Sequence, residues 1–384
     1  MEARLMQKIV KIKKGGVTLD TDAESLRVEV ASQWKLTWWK FRKHKLAMVS
    51  GAIVIILYII VIFCEFIAPR SGLTNNAKYS LVPPQAIHLF NKGKIGLYVF
   101  GYTSTRDPVS LQRIWILDKE TIIPVGLFVK GEPYKLWGLI PADIHLIGAL
   151  NPEDPFFLFG ADRIGRDVFS RVIFSARVSL TVGLVGIVLS FILGILIGGI
   201  SGLVGGTLDN IIQRIIEIMI SIPTLPFWLA LAAMVPINWS PLQTYFMISM
   251  ILTLFSWMWL ARVVRSKFLA MRNEDFVLAA QLDGCNNMRL ITHHMLPSFM
   301  SYIIASVTLS IPGMIIGETA LSFLGLGLRP PIISWGVMLQ DCQKIASIAN
   351  FPWMLAPAGA VFITVLAMNF LGDGLRDAAD PYQS

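Results

Sequence analysis

Residues 275–297 read DFVLAAQLDGCNNMRLITHHMLP. The stretch is polar, carries Gly284 at its centre and Pro297 at its end, and lies between two long apolar runs. From Glu274 to Asp283 the spacing predicts a short helix with Phe276, Ala279 and Ala280 on its apolar side, flanked by Val277 and Leu282. Gly284 tolerates positive φ and permits a sharp turn. Asn286 or Asn287 can cap a second helix over 288–295, which Pro297 follows. Such a pair of helices has two uses. It can lie on a membrane surface, or it can expose apolar groups that fit the groove of a partner protein.

The flanking runs decide the class. The 384 residues are 54% hydrophobic and 15% charged, where soluble domains are about 25% charged. A soluble core cannot hide that much apolar surface, so the chain reads as an integral membrane protein. A helix crossing ~30 Å of hydrocarbon needs about 20 apolar residues. Six segments qualify: 46–67, 178–203, 211–236, 244–264, 298–320 and 351–372. The predicted fold class is therefore an all-α polytopic membrane protein with six transmembrane helices. The first run begins too late and continues too long for a cleavable signal peptide, so it is expected to stay as an anchor.

Residues 1–45 are basic, with Lys11, Lys13, Lys14, Lys35, Lys40, Arg42, Lys43 and Lys45 interleaved with Trp34, Trp38 and Trp39. Next to a transmembrane run, this composition reads as a cytoplasmic interfacial segment rather than a nucleic-acid site. Alternation then puts 265–297 in the cytoplasm, where Arg262, Arg265, Lys267, Arg272 and Arg289 agree with the positive-inside rule. Both termini are expected inside. The slightly acidic tail GDGLRDAADPYQS carries little weight against this, because acidic residues contribute little to the rule. Residues 68–157 are expected outside as an insert. Within it KIGLYVFGY, RIWILD and TIIPVGLFVKG read as short strands separated by turns, which predicts a small β-rich domain over about 72–155. The stretch FGADRIGRDVFSRVIFSARVSL then reads as an interfacial helix, with Phe169, Val172, Ile173 and Ala176 on one side. Residues 158–384 would form the core with spans two to six.

No Walker loop, nucleophile elbow or HExxH stretch is present. His293 and His294 are adjacent and point about 100° apart on a helix, so they cannot chelate one metal as a pair. Cys64, Cys285 and Cys342 show no metal-type or disulfide spacing. No metal and no cofactor is expected in this chain.

Ionisable groups within spans are costly and raise functional hypotheses. Arg214 and Glu217, three apart, can pair on one face near the headgroups or mark a pore. Glu318 has no adjacent cation. It either lines a polar translocation cavity or holds the broken backbone around Gly325 and Gly327. Gly194, Gly198, Gly202 and Gly206 recur every four residues and smooth one helix face. That face can pack within the chain or against a partner subunit. Pro223, Pro226, Pro312 and Pro357 break several spans and free backbone carbonyls, as a pathway-forming bundle or ordinary curved packing requires.

The opening stretch also carries a resemblance. LAAQLDG, nine residues and then HMLP resembles the EAA loop of ABC importer permeases, with Ala279, Ala280, Gly284, Leu296 and Pro297 in register. Leu278 stands where that loop has Glu, and His294 where it has Ile. WWKFRKHKLAMVSG, FGADRIGRDVFSRVIFSARVSL, ETALSFLGLGLRPPIISWGVML and NFLGDGLRDAADP are similar to the C-type subunit of the dipeptide/oligopeptide permease branch. The resemblance covers about 33–70 and 157–384, and the insert looks longer than is usual in the branch.

It implies half of a pore in the bacterial inner membrane, paired with a second homologous permease subunit. Two cytoplasmic ATP-binding subunits would hold ATP and Mg, and an extracytoplasmic solute-binding protein would deliver substrate. The coupling loop would use Glu274, Asp275, Phe276, Leu278, Ala279, Ala280, Asp283, Gly284, Leu296 and Pro297. Glu274 or Asp275 would have to stand in for the missing carboxylate at 278. Peptides are the expected substrates; nickel, oligosaccharides and opine-like solutes occur in the same branch. An ATP-independent secondary transporter or channel is the alternative. It predicts repeated halves, and the EAA-like loop occurs once.

Overall fold

The computed structural model describes residues 33–91, 94–106, 108 and 113–379. Most of the expected basic N-terminal segment, including Lys11, Lys13 and Lys14, lies outside the described residues, as does the end of the acidic tail.

Helix α1 (Gln33–Lys43) leads into α2 (Lys45–Ile62), where His44 Nδ1 caps the first turn by accepting from the Ala47 amide at 3.1 Å. The run AIVIILYIIVI has few polar atoms to satisfy, and only a narrow side, Ala47, Ser50, Val54 and Val61, is buried. The rest is free to face lipid. A short helix α3 (Cys64–Ile67) ends this segment.

Between α3 and the next long helix lies an antiparallel four-stranded meander: β1 (His88–Asn91), β2 (Lys94–Arg106), β3 (Arg113–Leu136) and β4 (Ile140–Ala149). The 24-residue β3 changes partner along its length: Arg113–Pro124 pairs with β2 and Val125–Leu136 with β4. Val99, Ile123, Val125, Ala149 and Phe156 form its small core. His145 ties the sheet to the helical part, with Nδ1 2.5 Å from the Ala68 carbonyl oxygen and Nε2 2.9 Å from that of Glu132.

Helix α4 (Val168–Val204) is one continuous run of 37 residues. The helical stretch expected to lead into span two is continuous with it from Val168 onward. Asp167 caps the run by accepting from the Ser170 amide at 2.8 Å. The arginines near its start are paired: Arg177 with Glu65 at 2.7 Å, and Arg171 with Asp162.

The expected span at 211–236 is two helices, α5 (Gly206–Ser221) and α6 (Thr224–Ala233), meeting at 83°. Pro223 has no amide hydrogen and forces Ile222 into extended backbone, ψ 127°. Helix α7 (Pro241–Met271) begins at a capping box made by Ser240 and Gln243 and runs beyond the apolar stretch. Helix α8 (Asp275–Leu282) and the short α9 (Asn287–Arg289) lead into α10 (Met300–Phe323). Helices α11 (Trp335–Gln340) and α12 (Ile345–Asn350) precede α13 (Ala356–Ala379). Five helical runs among the described residues are long and apolar enough to cross a membrane, or six if the bent α5–α6 pair counts as one span. The core sits where α4 packs on α7 and where α10 and α13 close over α2 and α4.

Candidate functional site

Helix α8 is buried on one side only. Val277 (0% exposed) and Ala280 (8%) pack among Val264, Phe268, Leu290, Ile291 and Met295. Phe276, Leu278, Ala279 and Leu282 face out, Leu282 with 89% of its surface exposed. This corrects the expected apolar face: Ala280 is buried in the chain's own core, whereas Leu278 is exposed. Glu274 and Asp275 are exposed and lie four and three residues before Leu278, so they border it on the same side.

The end of α8 is closed by a Schellman motif. Cys285 N–H donates to the Ala280 carbonyl at 3.1 Å and Gly284 N–H to that of Gln281 at 3.0 Å. Gly284 has φ +76°, the left-handed value this motif requires. Asp283 is the exposed cap residue. Asn286 Oδ1 accepts from the Arg289 amide at 2.8 Å and starts the second helical segment.

That segment does not stop at Pro297. After α9 the winding widens to a π-turn over Leu290–Met295 and tightens to a 3-10 turn over Leu296–Phe299 before α10. The change of winding absorbs the missing Pro297 amide, so the chain passes into α10 without a break. Leu296 is buried and Pro297 exposed. His293 and His294 are exposed, and no group of three or more metal-ligating side chains exists among the described residues.

A cavity of about 710 Å³ is lined by Asn210, Gln213, Arg214, Glu217, Arg262 and Arg265. Arg214 and Glu217, one turn apart on α5, pair along its wall at 2.9 Å. Arg265 is held by Asp209, a partner 56 residues away that the sequence does not announce. Glu318 does not belong to this cavity. It is wholly buried and accepts from Ser179 Oγ at 3.1 Å and Ser322 Oγ at 2.8 Å. Those hydroxyls accept in turn from the Trp335 amide (3.1 Å) and the Leu328 amide (3.0 Å). Of its two readings, the geometry is that of a carboxyl group holding the chain that follows α10, not of a pore-lining group.

The glycine stripe packs within the chain. A Cβ at Gly194 would stand 2.8 Å from Leu260, one at Gly198 would overlap the Ala261 carbonyl, and one at Gly202 would lie 2.7 Å from Arg265 backbone. Gly206 is not part of the stripe; it opens α5 with φ +64°, and a Cβ there would meet nothing within 4 Å.

A second cluster stands at the other end of α4. Arg166 Nε lies 2.7 Å from Asp162 and a terminal Arg166 nitrogen 3.8 Å from Asp341, while Arg171 also binds Asp162. Asp167 is enclosed beside them. Its burial pushes the carboxyl up to about 6, against the lowering effect of its bonds to Ser170. The dense DRIGRD run was the available signal for this cluster.

Two family models match. The model for the N-terminal transmembrane domain of oligopeptide transport permease C covers residues 32–84. The model for the inner membrane component of binding-protein-dependent transport systems covers residues 194–383. A Brucella ovis protein named as a peptide permease is 39% identical over 251 residues, 65% of this chain and 79% of that protein. The oligopeptide transport system permease protein OppC of Bacillus subtilis is 33% identical over 238 residues, 62% of this chain and 75% of OppC. The dipeptide transport system permease protein DppC of the same organism is 30% identical over 362 residues, 94% of this chain and 89% of DppC. That alignment is long enough to run through the sheet.

Proposed function

Because the chain belongs to the inner-membrane component family of binding-protein-dependent transport systems, in its dipeptide/oligopeptide branch, we propose that it conducts peptides as half of an ATP-driven pore. It is a permease subunit of an ABC importer and a multi-pass membrane protein. A second, homologous permease completes the pore. Two cytoplasmic ATP-binding subunits hold ATP and Mg and carry out the hydrolysis, and this chain is not itself catalytic. A solute-binding protein delivers substrate from outside. The chain spans the membrane six times, with the bent α5–α6 pair as the third span, both termini in the cytoplasm and the sheet outside.

The observation that carries the coupling role is the two-sided helix α8. Val277 and Ala280 root it in the cluster that also holds α7 and the start of α10, and Phe276, Leu278 and Leu282 remain free for an ATPase groove. A push on α8 would therefore reach two membrane helices through packed side chains. Leu278 makes the contact more apolar than a glutamate would, with Glu274 and Asp275 as the nearest carboxylates. Expression with the partner subunits tests this reading: an ATPase subunit should co-purify, and reconstituted vesicles should take up labelled peptide only with ATP and the binding protein. Failure to retain any ATPase subunit would sink it.

A further inference from the structure

The hairpin joining β3 and β4 is apolar where a surface loop is ordinarily polar. Its tip, LWGLIP (136–141), carries no charge. Leu139 is 78% exposed, with Trp137 and Ile140 exposed beside it; further back on β3, Leu127 and Phe128 (65%) are exposed as well. Trp137 and Phe128 adopt φ +54° and +55°. Bulky residues seldom take this conformation, and turns of this shape favour Asn or Gly.

Both strained aromatics turn toward the end of the first long apolar helix. Trp137 Nε1–H donates to the Ile62 carbonyl at 2.8 Å, at the last residue of α2. The Trp137 and Phe63 rings lie 6.0 Å apart, as do those of Phe128 and Phe66. This fixes the depth of the hairpin. Helix α2 has 18 residues, or about 27 Å at 1.5 Å per residue, close to the ~30 Å of bilayer hydrocarbon. Its far end is thus the level of the opposite headgroup boundary, where Trp is enriched. Ile55, Ile56, Ile59 and Ile62 expose an apolar stripe on α2 that leads to the hairpin.

We propose that the β3–β4 hairpin is a lipid-embedded foot of the sheet: Leu127, Phe128, Trp137, Leu139 and Ile140 sit among the phospholipid chains just below the headgroups of the outer leaflet. The occupant is lipid because the indole–carbonyl bond holds the hairpin at membrane depth beside a lipid-facing helix. The proposal rests on the reading that puts the sheet outside.

The test uses the complete importer in nanodiscs. An environment-sensitive dansyl amino acid replaces Leu139 in one variant and Phe90, on the distant β1, in another. Phosphatidylcholine carrying a nitroxide high on its acyl chain should quench the Leu139 probe at least about threefold more strongly than the Phe90 probe. Separately, Phe90→Cys in spheroplasts should react with a membrane-impermeant maleimide. If Phe90→Cys reacts but the Leu139 probe is unquenched, the foot is wrong and the topology stands. The proposal also fails if the Leu139 probe reports an apolar environment but is not quenched by the lipid nitroxide, which would place a partner subunit over the hairpin. If Phe90→Cys is unreactive from outside, the topology fails and the outer-leaflet placement with it.

Discussion

Arg265 meets Asp209 through two parallel hydrogen bonds, Nε to Oδ1 and a terminal nitrogen to Oδ2, each 2.5 Å long. Ser201 Oγ donates to the same Asp209 Oδ1. One carboxylate thus joins α4, α5 and α7 at the edge of the polar cavity. Forked pairs of this kind are strong when both groups are drawn out of water. Arg265→Ala removes the main counter-charge of Asp209, leaving Ser201 and the field of Arg272, and should destabilise by about 1–3 kcal/mol. Asp209→Ala should cost somewhat less, because Arg265 can turn toward water. The double variant should cost about 1–3 kcal/mol less than the sum of the two. Thermal melts of the detergent-solubilised importer measure all three.

The two sides of α8 should respond oppositely to substitution. Leu282→Asp and Phe276→Asp alter exposed positions, so the melting temperature should hold while capture of the ATPase subunit falls at least about tenfold. Ala280→Leu forces volume into the packed cluster and should destabilise by about 1–3 kcal/mol. Equal effects of Leu282→Asp and Ala280→Leu on folding would contradict the assignment of faces.

At Gly284 the space around the α-carbon is open, so the backbone alone decides the outcome. Gly284→Ala should cost about 1–2 kcal/mol for the left-handed conformation and weaken coupling mildly. Gly284→Pro removes the bond to the Gln281 carbonyl and demands φ near −65°. Insertion should be normal, ATP hydrolysis uncoupled and uptake lost. Unchanged uptake by this variant would count heavily against a coupling role.

Two helix glycines make a controlled pair. Gly198→Ala places a methyl group against the Ala261 backbone, which cannot yield, and should cost about 1–3 kcal/mol. Gly313→Ala meets nothing within 4 Å in the middle of α10 and should stabilise by roughly 0.5–1 kcal/mol. Melting curves of the two variants should therefore shift in opposite directions.

Asp167 gives the N-terminal end of α4 a pH dependence. Its folded-state value of about 6 lies above the ordinary 3.8. The folded protein therefore holds this proton more tightly than the unfolded chain does. Its contribution to stability is greatest below pH 4, declines as pH rises to about 6 and stays low above that. Asp167→Asn keeps an acceptor for the Ser170 amide and carries no charge. It should flatten the melting temperature between pH 4 and 6 and raise it at pH 7.5.

Long apolar runs made α2, α7, α10 and α13 legible in the sequence, because a span needs little more than length and hydropathy. The Schellman turn was legible too, since only Gly284 suits its φ. The buried side of α8 was not: six of its eight residues are apolar, so periodicity does not choose between Phe276 and Val277. The partners of Glu318 and Arg265 were hidden for another reason. Ser179 is 139 residues from Glu318 and Asp209 is 56 from Arg265, and one sequence carries no record of such meetings. Pro223 marked a break, but its 83° angle depends on how α6 packs against α7 and α10.

The unbroken α4 has a mechanical consequence. Its 37 residues make a rod about 55 Å long at 1.5 Å per residue. The Asp162–Arg171 cluster grips one end, and the Ser201–Asp209–Arg265 contact ties the other to α5 and α7. A tilt of about 5° around the midpoint carries the two tips roughly 2 Å in opposite directions. A stiff see-saw of this kind would report a disturbance on one side of the bilayer at the other without any side chain changing rotamer.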